Sequence, residues 1–267
     1  MRLLKKWLDF FLDGSFLLAI ASVCLCGETY LLFGENVKSP GVLPLIFFST
    51  LFIYNYRLLD SDIPTSLPKS FLKIFVLLIV FGMMASCVFV RAEILLFLLP
   101  FGMLAVAYNL PFIRLRGIPY LKIFLISLIW AVVTVMVPAK DMGADIFTSE
   151  IGFVFLRRVL FIFALAMPFD IRDTSKDRSR HIKTLPVLFG EKKSKLFALG
   201  ALGIYCALVF FSPFPSGRVG NGLLLSAVVL AFLVLISSPS RSRYYYLILL
   251  DGTMILQFLL VWVVVRS

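Results

Sequence analysis

Charged residues are scarce in this chain, at 15% of its 267 positions, while hydrophobic residues make up 61% and the mean hydropathy is +1.00. A water-soluble domain needs more polar surface than that, so the soluble classes are excluded and an integral membrane protein remains. Apolar–polar alternation is also missing. The apolar residues come in continuous runs, which excludes a spanning β-barrel and leaves helices. Cysteine is sparse: Cys24, Cys26, Cys87 and Cys206 all fall inside apolar runs, which suits small buried hydrophobes and supports neither a disulfide framework nor a metal site. The basic start "MRLLKKWLDFFLDGSFLLAIASVCLCG" has no convincing small-x-small cleavage pattern after it. It reads as a first transmembrane helix that is retained.

Acids are fewer than bases, 15 against 26, giving a net charge of +11. The bases sit in short segments between apolar runs, where they set topology and meet anionic headgroups or phosphates, so nucleic-acid binding is not expected. A helix needs about 20 apolar residues to cross the hydrocarbon core. Nine stretches qualify: Ser15–Phe33, Gly41–Leu59, Ser70–Val90, Glu93–Leu110, Pro119–Pro138, Ile151–Phe169, Ser194–Ser212, Val219–Ser237 and Tyr244–Val265. With the N-terminus in the cytoplasm, 19 of the 26 Lys and Arg fall on the cytoplasmic side, leaving only Lys38, Arg91, Lys140, Arg157, Arg158, Arg218 and Arg266 opposite. That asymmetry predicts nine spans in one transmembrane domain over residues 1–267, N-terminus inside. Lys140–Glu150 reads as a solvated turn on the far side, and Arg157 and Arg158 as residues that snorkel from an outer helix end.

The exception to the charge scarcity is "FDIRDTSKDRSRHIKTLPV", Phe169–Val187, which holds the single histidine. Asp170, Asp173 and Asp177 are spaced i, i+3 and i+7, so on a helix they lie at about 0°, −60° and −20°, one narrow stripe, with Arg172 and Lys176 roughly opposite. Carboxylates so close repel one another, and a divalent cation removes the penalty; oxygen-only ligands suit Mg²⁺ with substrate phosphates completing its shell. The stripe directly follows the apolar run "VLFIFALAMPF", and an ionised group facing lipid at such depth costs about 2.5–3.5 kcal/mol, so the carboxylates are expected to face a cavity. Arg178, Arg180, His181 and Lys183 follow as candidate phosphate ligands. A solvated loop whose charges only fix topology is the plainer alternative.

"DIRDTSKDRSRHIKTLPVLFG" closely resembles the second aspartate motif of the UbiA-type intramembrane prenyltransferases, (D/N)-x-x-D-x-x-x-D followed by K-(T/S)-x-x-(V/A) and a glycine. The matching positions are Asp170, Asp173, Asp177, Lys183, Thr184, Val187 and Gly190. "AYNLPFIRLRGIPYLK" is similar to the family's Tyr-Ser/Asn-x-Pro stretch with following bases, which implies diphosphate contacts from Tyr108, Asn109 and Lys122. The family's first motif, N-D-x-x-D-x-x-x-D, is degenerate in "YNYRLLDSD": Asn55 matches, Tyr56, Leu59 and Ile63 stand at the aspartates, Arg57 adds a positive charge, and Asp62 lies within about 20° of Asn55 on a continuing helix.

The resemblance implies an all-α, nine-helix UbiA-like bundle and an enzyme that transfers a prenyl chain from a polyprenyl diphosphate to a lipophilic aromatic or quinone-precursor acceptor. It implies Mg²⁺ at Asp170, Asp173 and Asp177 with Asp62 as a further ligand. Asp173, Asp177 and Asn55 would be the catalytic residues, and Lys183, Arg178, Arg57, Tyr108, Asn109 and Lys122 the diphosphate ligands. The expected location is the bacterial inner (plasma) membrane with the site facing the cytoplasm and no obligate protein partner. A relative that binds isoprenoid diphosphates without transferring them is the alternative. "DGSF" and "DGTM" lack the Ala-Arg of a CDP-alcohol phosphatidyltransferase signature, and the nearly charge-free helix interiors disfavour a transporter.

Overall fold

The computed structural model describes residues 10–56, 69–109, 118, 120–211, 214 and 217–266, and among these there are helices and no strands. The helices are α1 (Phe16–Phe33), α2 (Val42–Asn55), α3 (Lys69–Cys87), α4 (Ala92–Asn109), α5 (Leu121–Met142), α6 (Ser149–Ser179), α7 (Leu185–Phe211), α8 (Arg218–Ile236) and α9 (Tyr245–Arg266). Seven of them, all but α2 and α4, are long and apolar enough to cross a membrane; α2 and the apolar stretch Ala92–Tyr108 of α4 are shorter. Leu77, Phe81, Leu96 and Phe210 point outward and exposed, as lipid-facing side chains do, since an apolar surface costs nothing in hydrocarbon.

Most helices lie close to their apolar runs; α7 begins nine residues ahead of Ser194, and two further departures are informative. α6 continues ten residues past Phe169, because the backbone closes it after the aspartates rather than before them. His181 takes a left-handed conformation (φ 56°), and the Ile182 and His181 amides donate to the carbonyls of Asp177 and Arg178 at 2.9 and 3.2 Å. α5 runs on to Met142 and corrects the expectation of a solvated turn beginning at Lys140. The Asp141 carboxylate is fully buried, accepting from the Tyr30 hydroxyl (2.8 Å) and the Lys38 and Ser39 amides (2.8 and 3.0 Å), so an acid that looked solvated ties α1 and the α1–α2 link to the end of α5.

Packing follows a ring in which α5 lies against α6, α6 against α7, α7 against α8, α8 against α9 and α9 against α1; the middle of α5 meets α1 again and closes it. α2 and α3 pack on one another outside α1. The main core runs through α6 to α9, with Phe161, Met167, Tyr205, Leu230 and Tyr246 fully enclosed. Two helices depart from α geometry: α5 has a π turn at Val132–Met136, and α9 begins with one at Tyr245–Leu250. An inserted residue of this kind re-aims the side chains beside it.

Candidate functional site: an amphipathic cavity with an aspartate end

The last three turns of α6 carry the aspartates on a helix, as their spacing requires. Asp170 and Asp177 are 3% and 6% exposed. Lys122, in the first turn of α5, reaches between them: its Nζ lies 2.6 Å from Asp170 Oδ1 and 3.5 Å from Asp177 Oδ2. Asp173 is held differently. Arg172 Nε and Nη2 donate to its two oxygens at 3.1 and 3.0 Å, while the guanidinium stacks over Phe169 and Tyr246 with its carbon 5.2 and 4.9 Å from the ring centres. Arg172 therefore does not point away from the stripe, as a helical wheel places it; a flexible side chain wraps back to a neighbouring carboxylate.

Two adjoining cavities open from these residues. The smaller, about 190 Å³, is lined by Asp170, Asp173, Lys122, Phe169 and Asp251. The larger, about 360 Å³, is lined mainly by apolar residues of α2, α4 and α5, such as Leu45, Ile46, Leu98, Ile129 and Val133. Tyr54, Lys122, Ile126 and Trp130 border both, and Tyr54 is hydrogen-bonded to Trp130 at the junction. Charge is thus concentrated at one end of a pair of largely apolar cavities that share these four walls.

The donor set fits a hard divalent cation in its chemistry: three carboxylates on one helix stripe, with Asp177 Oδ2 buried and lacking a hydrogen-bond donor. Among the described residues, however, no three acidic, histidine or cysteine side chains are gathered closely enough to hold an ion. The cause is visible in the pairing, since Lys122 holds two of the carboxylates and Arg172 the third.

Of the expected diphosphate ligands, Tyr108 and Lys122 come together on the larger cavity. The Lys183 and Arg178 side chains are exposed and line neither cavity. The Lys183 carbonyl instead accepts from the Tyr120 amide at 3.1 Å, joining the segment after α6 to the start of α5. Asn55 is buried with its Nδ2 donating to the carbonyls of Gly14 (2.9 Å) and Leu51 (2.8 Å), which ties α2 to the segment before α1; its neighbour Tyr54 faces the cavities. Arg57 and Asp62 lie outside the described residues, as does the side chain of Asn109. Gly190 adopts φ 80°, ψ 169°, a conformation essentially restricted to glycine, and breaks α7 after its first turn and a half.

Asp251, Tyr54 and Trp130 escaped the motif reading. Asp251 had a signal of its own, a lone acid within an apolar run, which by default marks a functional position. It is 2% exposed at the end of the π turn in α9, faces the smaller cavity opposite α6, and feels the charge of Arg172.

The model of the UbiA prenyltransferase family matches residues 65–246, and the chain belongs to that family. No curated protein sequence matches it. The fold is similar to the apo structure of a UbiA homolog from Aeropyrum pernix K1 (TM-score 0.67, 15% identity, covering 92% of this chain and 97% of that one). It is also similar to a UbiA homolog from Archaeoglobus fulgidus bound to GPP and Mg²⁺ (TM-score 0.65, 14% identity, 96% and 100% covered) and bound to DMAPP and Mg²⁺ (TM-score 0.64, 13% identity, 96% and 99% covered). The chain is accordingly a multi-pass membrane protein of prenyltransferase type.

Proposed function

We propose that this protein transfers a prenyl chain from a polyprenyl diphosphate to a lipophilic aromatic or quinone-precursor acceptor within the membrane. One observation carries the reading: an apolar cavity of about 360 Å³ joined to a charged one of about 190 Å³, the shape an isoprenoid diphosphate requires. Lys122, already at the boundary, binds diphosphate oxygens. Asp170, Asp173 and Asp177 would hold Mg²⁺, which when bound neutralises charge on the departing diphosphate. Tyr54, Tyr108 and Trp130 orient the allylic end and present aromatic faces to the positive charge that develops as the C–O bond ionises. The surrounding apolar side chains exclude water, which would otherwise intercept that cation.

In this reading α2 and α4 complete nine crossings, the N-terminus is cytoplasmic, and the aspartate end faces the cytoplasm of a bacterial inner membrane. Purified protein with a labelled polyprenyl diphosphate, Mg²⁺ and aromatic acceptors should yield a prenylated product. Diphosphate release that survives Asp173→Ala with Asp177→Ala would sink the mechanism. The Lys122 clasp on Asp170 and Asp177, with Asn55 committed to Gly14, favours a second reading: a relative that binds isoprenoid diphosphates without turnover. Tight binding with no diphosphate release would select it.

A further inference from the structure

A second buried charge cluster lies at the other end of α6. Arg157 and Arg158 are each 3% exposed, so they do not snorkel to an interface as a long side chain near a helix end was expected to do; they point into the bundle. They sit 12–13 residues before Asp170, a separation of about 18–20 Å along the helix axis. Together with Glu28 of α1, Tyr205 of α7 and Gln257 of α9 they enclose a small cavity of about 10 Å³. A space of that size has room for one small particle such as a water molecule or a monatomic ion.

The charges in this niche do not balance. Arg158 Nη2 donates to Glu28 Oε1 at 3.0 Å, which accounts for one positive charge. Arg157 feels the Glu28 charge but makes no hydrogen bond to it: among the described residues its Nη1 and Nη2 are both buried and meet no acceptor, and the same holds for Arg158 Nη1. Arginine does not shed its proton to escape, because a guanidinium stays charged inside proteins. An uncompensated guanidinium in an apolar interior is strongly unfavourable. Gln257 Nε2 donates to the Tyr205 hydroxyl at 2.7 Å, leaving Gln257 Oε1 buried without a donor. A half-turn of this amide lets Oε1 accept from the Tyr205 hydroxyl and presents Nε2 to the niche as a further donor. Among the described residues, Glu28 Oε2 is also buried without a donor.

We infer that the niche binds one small monovalent anion of halide size, held by Arg157 Nη1 and Nη2 with Arg158 Nη1 and the turned Gln257 amide. The anion neutralises the surplus positive charge and fastens α6, α7 and α9 to α1 at the end of the bundle remote from the aspartates. It takes no part in prenyl transfer, and the inference stands apart from the proposed activity.

The test uses the full-length protein in detergent. Thermal unfolding is compared in sodium chloride and sodium gluconate at equal ionic strength, for the wild type and for Arg157→Gln. The wild-type midpoint should rise by about 5–10 °C in saturating chloride, and Arg157→Gln should lose that dependence. Crystals grown in bromide should give an anomalous peak within hydrogen-bond distance of Arg157 Nη1 and Nη2. Equal midpoints in the two salts, a chloride effect retained by Arg157→Gln, or a water with no anomalous signal would each overturn the inference. If Arg157→Gln does not fold, the wild-type bromide crystal decides alone.

Discussion

Helix α6 carries two buried charge clusters of opposite sign, and they differ in the space around them. At its C-terminal end three aspartates face one lysine from α5, with Asp251 opposite and Arg172 alongside; at its N-terminal end two arginines face one glutamate from α1. In each, a residue from another helix supplies opposite charge, Lys122 of α5 at one end and Glu28 of α1 at the other. The acidic end opens into cavities of about 190 and 360 Å³, whereas the basic end encloses about 10 Å³. Excess charge next to a large amphipathic space suits a substrate that comes and goes. Excess charge sealed among packed helices has no room for a large ligand, and the Arg158–Glu28 pair there joins α6 to α1.

That contrast can be broken at either end. The largest effect is expected from Asp173→Ala combined with Asp177→Ala, which should lower diphosphate release by about 10²–10³-fold, the scale of losing the main electrostatic stabilisation of a transition state; single-turnover assays with labelled substrate measure it. Glu28→Gln removes the one acid from the basic end and should destabilise the protein by about 3 kcal/mol, as uncoupling a buried ion pair does. Thermal unfolding in detergent reads this. Lys122→Met removes a cation from the acidic end and should weaken prenyl diphosphate binding about 10–100-fold, the worth of a charge-assisted hydrogen bond; equilibrium binding of a labelled diphosphate checks it. Gly190→Ala should cost about 1–3 kcal/mol of stability through its positive φ alone, with the cavity unchanged. Tyr54→Phe removes only the hydroxyl that meets Trp130, at about 1 kcal/mol, and should shift KM by a few-fold in steady-state assays.

The two ends were not equally legible in the sequence. The aspartate stripe could be read because its spacing matches a helix face and it interrupts an apolar chain. Gly190 could be singled out by its motif position, though its reason, a backbone conformation only glycine adopts, needed φ and ψ. Arg157 and Arg158 were misread because a position near the end of one helix cannot say which other helix lies beside it. The same limit applies to Asn55, whose motif position suggested chemistry while its amide is used to hold Gly14. Asp141, taken for part of a solvated turn, is a buried acceptor for three donors contributed by Tyr30, Lys38 and Ser39, residues about a hundred positions earlier in the chain.

By itself the sequence determined the class of the protein, the approximate limits of its helices and the stripe of acids on α6. These depend on composition, on local periodicity and on the length needed to cross a bilayer. The tertiary structure alone decided which charges meet: Lys122 with Asp170 and Asp177, Arg158 with Glu28, and Asp251 with the aspartate cavity. Such pairings join residues far apart in sequence, and a burial that strips water from a charge makes its partner on another helix decisive.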